Sequence, residues 1–118
     1  EKKYTITNIT HPDNPKLRRI KALRDFGDVK AGDLGGWIES ERNLSHDRDC
    51  WVSHNAKVYD NATVYDNAKV FGNVWVYDNA KVCGNAKVYD NAKVCGNAWV
   101  FDNAKVFGKA WVSGRAQV

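Results

Sequence analysis

Histidine is scarce in this chain and unevenly placed: His11, His46 and His54 are the only three, and none occurs from Asn55 to Val118. More than half of the protein therefore lacks the commonest general base of enzyme chemistry. No apolar run reaches the ~20 residues of a membrane-spanning helix, and no secretory signal opens the sequence. A cytoplasmic protein with no membrane partner is expected. Three cysteines, an odd number without disulfide-framework spacing, fit a reducing compartment. The first residue is Glu1 rather than Met, which reads as removal of an initiator or tag. A basic tail is also missing. The net charge of +4 divides evenly, +2 over residues 1–48 and +2 over 49–118, so nucleic acid is disfavoured as a partner. Gly32 and Gly35-Gly36 lack the Lys-Ser/Thr of a phosphate-binding loop and read as a turn-rich hairpin.

What is present is order. Valine recurs every sixth residue from Val52 to Val118, twelve times. From Asn55 the units read NAKVYD, NATVYD, NAKVFG, NVWVYD, NAKVCG and onward, with no insertion. DCWVSH from Asp49 fits with Cys50 in the alanine slot. NLSHDR from Asn43 fits loosely, with Leu44 in the alanine slot and His46 in the valine slot. Alternation within each unit puts Ala and Val on one face of a short strand. The Asp or Gly and the Asn that follow tolerate a corner. Such short units bury an apolar face only by stacking on one another.

This pattern, over residues 49–118, resembles the hexapeptide-repeat family. The resemblance implies an all-β, left-handed parallel β-helix with three hexads per triangular coil, the hand being an exception to the usual crossover rule. Residues eighteen apart then stack at about 4.8 Å, giving nearly four coils about 19 Å long. The first outer face carries Trp51, Lys69, Lys87 and Lys105 beside Ser53, Phe71, Tyr89 and Phe107. The second carries Lys57, Trp75, Lys93 and Trp111 beside Tyr59, Tyr77, Cys95 and Ser113. On the third stand Thr63, Lys81, Trp99 and Gln117 beside Tyr65, Cys83 and Phe101. Thr63 is the one outward threonine of the array, which excludes an ice-binding face.

Residues 1–48 do not repeat. They read either as a capped helix after Asn14-Pro15 or as two strands, Tyr4–Thr7 and Arg19–Leu23, joined by a polar loop. The stretch from Ile20 through Asn43-Leu44-Ser45 resembles leaders of phage and prophage hexapeptide proteins, related to bacterial transferases, and tips the reading to strands. A small N-terminal β cap over 1–48 is expected, because a bare coil end exposes strand edges. At its other end the array stops at Val118 in mid-hexad, which leaves a truncation open.

Hexapeptide acyltransferases use acetyl-CoA or acyl carrier protein, a histidine base near a subunit boundary and an extruded loop. Here a transferase has only His46 and His54 to draw on, and no loop. His46 reads as a plug at the end of the core, and His54 as an exposed corner residue. Related carbonic anhydrases need three metal-binding histidines, a set missing here, so no metal and no cofactor are expected. Cys83 and Cys95, twelve residues apart, fall on different faces and read as free thiols. The asparagine column reads as a corner-to-corner amide ladder, and only Asp60 and Asp78 share an edge as consecutive carboxylates.

The functional expectation is a non-catalytic structural or binding module of phage origin. It self-associates, as a homotrimer, through an aromatic face drawn from Phe71, Tyr89, Phe107, Lys69, Lys87, Lys105, Tyr59, Tyr77, Trp75 and Trp111. The alternatives are an acetyl-CoA-dependent acyltransferase with an intersubunit site, and a regulator that binds a host protein or sequesters a small ligand.

Overall fold

A computed structural model describes residues 2–118. Two long strands, β1 (Tyr4–His11) and β2 (Asn14–Ala22), form an antiparallel hairpin through a turn at Pro12-Asp13. The helical alternative for this stretch is not adopted. Strand β3 (Leu34–Ile38) and one short 3-10 turn (Glu41–Asn43) follow. Then come two-residue strands at every sixth residue, from β4 (Trp51–Val52) to β14 (Trp111–Val112).

Local chemistry explains the period. Each corner needs one residue at positive φ, a region that bulky L-residues avoid and that Gly and Asp enter. Asp60, Asp66, Asp78, Asp90 and Asp102 occupy it at φ 54 to 64, and Gly72, Gly84, Gly96 and Gly108 take the same role elsewhere. The corner closes when an alanine N–H donates to the carbonyl three residues back, as from Ala62 to Tyr59 at 3.2 Å. Outward residues then donate to the next coil, as Tyr59 N–H does to Val76 O at 3.0 Å. Val52 through Val100 are fully buried, each contributing about 1.5–3 kcal/mol by leaving water.

The result is a parallel β-solenoid of about four coils. Strands stack in register at eighteen-residue intervals, Lys69 on Lys87 and Lys87 on Lys105 among them. Three sheets form its walls, of seven, four and three strands. The seven-stranded sheet continues from the hairpin through β3 onto Lys57–Val58, changing from antiparallel to parallel pairing. The cap thus covers the edge of the first coil by extending its sheet.

Four expectations are corrected here. The parallel register begins upstream of Asp49, because Ile38 pairs with Val58 and Leu44 with Val64. Leu44 therefore fills the valine slot and is fully buried, while His46 stands beside the core. Gly35 and Gly36 lie within β3, buried, instead of in a turn. A Cβ on Gly35 would meet Val52 O at 2.6 Å, and one on Gly36 would meet Ala56 O at 2.7 Å, so close packing of cap on coil requires glycine. Finally, aspartates carry most of the side-chain ladder at the corners, the asparagine column supplying the rung from Asp49 N–H to Asn67 Oδ1 at 3.2 Å. Glu39 Oε1 accepts from Asp60 N–H, Asp60 Oδ2 from Asp78 N–H and Asp78 Oδ2 from Gly96 N–H, at 2.8, 3.2 and 3.0 Å.

Candidate functional site

The two histidines of the transferase alternative are far apart in role. His46 stacks on Tyr4 at 4.1 Å, accepts at Nδ1 from Lys3 N–H at 3.1 Å, and bonds Glu41 Oε1 through Nε2 at 2.7 Å. Both ring nitrogens are engaged in tying the N-terminal strand to the coil. The His46 bond, with Lys2 beside it, holds the Glu41 carboxyl below its ordinary range. His54 sits at a corner at φ 58, exposed, with Ser53 Oγ 3.2 Å from Nδ1.

Beneath the cap, Lys3 is fully buried. Its Nζ donates to Cys50 O at 2.6 Å and Arg48 O at 3.2 Å, and lies 3.3 Å from Cys50 Sγ. Burial pushes the Lys3 ammonium down and the Cys50 thiol up, so each is held toward its neutral form. Sequence reading missed this lysine, since nothing in the pair Lys2-Lys3 near the N-terminus signals that one of them is buried.

The expected face residues do form columns. On the first face Phe71, Tyr89 and Phe107 stack at 5.2 and 5.5 Å with nearly parallel rings, beside the in-register Lys69, Lys87 and Lys105. Trp51, below Lys69, is buried and meets Phe26 of the cap edge-on at 5.2 Å. A cleft of about 410 Å³ opens there, floored by Phe26, Trp51 and Phe71 and rimmed by Asp28, Asp49 and His54.

The second face alternates cation and ring. Arg19 lies over Trp37 at 4.2 Å, Lys57 over Trp75 at 6.0 Å, and Lys93 between Trp75 and Trp111 at 4.9 and 5.4 Å. Trp75 is 40% exposed and Trp111 65%. Tyr59 and Tyr77 stack beside them at 5.4 Å. Cys83 and Cys95 are free and buried, and each accepts an indole N–H, from Trp99 at 3.1 Å and from Trp111 at 3.2 Å. The hydrogen bond to Cys95, with burial, pushes the Tyr77 hydroxyl up to about 12. For Tyr65 burial leads and Cys83 adds, to about 12 as well.

Among the described residues no group of three His, Cys, Asp or Glu side chains is placed to hold a metal ion. No helix is long and apolar enough to cross a membrane. Comparison with known proteins agrees with the coil. Residues 56–70 match the YdcK beta solenoid repeat. A curated relative, the uncharacterized acetyltransferase YdcK of Escherichia coli (strain K12), is 42% identical over 52 residues, covering 43% of this chain and 16% of that protein. The chain thus matches a small part of that relative's length. The repeat match, this similarity and the stacked parallel coils together fit membership of the hexapeptide-repeat family.

Proposed function

We propose that this chain is a non-catalytic β-solenoid module that self-associates, as a homotrimer, through its second face. The supporting observation is the exposure of Trp75 and Trp111 on one wall, with Lys93 packed between them. Large exposed indoles on a regular wall favour burial against a partner. The non-catalytic part of the reading is supported by His46, whose two ring nitrogens both serve the cap. A phage or prophage origin is also part of the proposal, supported by the resemblance of the leader from Ile20 to Ser45.

Light scattering over a concentration series tests the assembly. A mass three times the 13.3 kDa of the chain is expected, falling to one chain in the double variant Trp75→Lys/Trp111→Lys. A parent protein that stays monomeric throughout overturns it. A second reading, an acetyl-CoA-dependent acyltransferase with a site between subunits, draws on the relative's name and on His54 at the rim of the cleft.

A further inference from the structure

The first and second faces treat their lysines in opposite ways. On the second, a tryptophan separates each lysine from the next. On the first, Lys69, Lys87 and Lys105 stand directly above one another at the rung spacing, about 4.8 Å. Like charges opposed on neighbouring strands are destabilising. Among the described residues the ion pairs Lys2–Glu41 and Arg42–Glu39 and the His46–Glu41 hydrogen bond all lie away from this column. Asp66, Asp90 and Asp102 stand at the flanking corners, and the first two spend Oδ2 on the N–H groups of Gly84 and Gly108. The fold thus tolerates a ladder of cations that its own acids do not neutralise.

The neighbouring rings decide what kind of anion suits it. Phe71, Tyr89 and Phe107 are stacked on one another at 5.2 and 5.5 Å. Admitting a flat base between two rings requires about 7 Å, twice an ordinary carbon contact. The column therefore offers ring edges, an apolar stripe, and no slots for nucleobases. Its charges repeat once per rung, so Lys69 and Lys105 stand about 9.6 Å apart, close to the two-sugar step after which an extended 1,4-linked polyuronate returns a carboxylate to the same side. We propose that the first face binds an acidic polysaccharide with one carboxylate per sugar. The glycan lies along the coil axis, with same-side carboxylates on Lys69 and Lys105, Lys87 between them within reach of either, and sugar C–H groups against the edges of Phe71, Tyr89 and Phe107. Asp28, Asp33 and Asp49 line the cap cleft beyond Lys69, which borders it, so the glycan ends at Lys69 and runs away from the cap.

The test is calorimetric or NMR titration with a mannuronate hexamer at low and high salt, beside an uncharged mannose hexamer and a thymidine hexanucleotide. Saturable binding of the mannuronate hexamer, weakened by salt and absent for the neutral sugar, is expected. Surface ion pairs are worth a few-fold each, so Lys69→Gln/Lys87→Gln/Lys105→Gln weakens it roughly 10-fold to 100-fold. Lys57→Gln/Lys93→Gln on the second face leaves it essentially unchanged. Lys87→Gln alone raises the melting temperature by relieving repulsion, and a triple variant that melts no lower than the parent separates loss of binding from loss of fold. Tighter binding of the oligonucleotide, equal loss in the second-face variant, or no effect of the triple substitution overturns the proposal. Self-association is read separately, so a monomeric protein leaves this result intact.

Discussion

Replacing Gly35 by alanine probes the join between cap and coil. The added Cβ would lie 2.6 Å from Trp51 Cζ2, 2.6 Å from Val52 O and 2.7 Å from Ile20 Cγ1. Two of these atoms belong to side chains that could give way. The third is backbone of the first coil, held by the strand stacked above it. Overpacking a filled interior costs typically ~1–3 kcal/mol, and a backbone obstacle puts this site at the upper end, about 3 kcal/mol. For a domain of this size each kcal/mol lowers the melting temperature by about 4 °C, so a drop of about 12 °C is expected. Urea unfolding followed by circular dichroism gives the free energy, and a thermal melt gives the shift. Gly108→Ala is the control: it sits at φ 65 with nothing within 4 Å of its Cβ, so it bears only the left-handed backbone cost of about 1 kcal/mol. A Gly35→Ala melt within about 2 °C of the parent, or a larger loss at Gly108, would refute the packing account.

Three further outcomes follow from the corners and columns. Asp78→Ala removes the acceptor of Gly96 N–H and puts alanine at φ 59, costing about 1–2 kcal/mol in urea unfolding, with Asp78→Gly milder. Tyr77 is held up to about 12 against an ordinary 10.0, so its share of stability is complete below about pH 10 and is lost as pH rises toward 12. Ultraviolet titration should show its ionisation moving down toward the ordinary value in Cys95→Ala. The histidines separate by thermal melting: His46→Ala loses the Tyr4 stack and two polar contacts, about 1–2 kcal/mol, whereas His54→Gly relieves a positive φ and gains up to about 1 kcal/mol.

The coil was legible from Asn55 onward because one slot, the valine, has little freedom: it is inside from Val58 to Val106 and opens only in the last coil, at Val112 and Val118. The same periodicity sorted every outward residue, and the stacks of Phe71, Tyr89 and Phe107 and of Tyr59 and Tyr77 follow that sorting. The earlier rung was hidden by spacing. Ile38 and Leu44 keep the six-residue step, but Leu44 and Val52 are eight apart, and the two extra residues displace His46 from the core. Gly35 and Gly36 misled because glycine marks both a turn and a close approach of backbones, and only packing distinguishes them. The asparagine ladder is reduced to the Asn67–Asp49 rung for a related reason. A carboxylate at positive φ points along the coil axis at the next N–H, and the aspartates already hold that position.

The claim that this module binds without catalysing meets its most direct test in acetyl-CoA. The assay combines calorimetric titration of the protein with a thiol-release measurement over a panel of amine and hydroxyl acceptors. The account predicts neither saturable binding nor release of free CoA above the rate without protein, for the parent and for His54→Ala alike. Saturable acetyl-CoA binding with turnover abolished in His54→Ala would contradict it and establish the acyltransferase reading in its place.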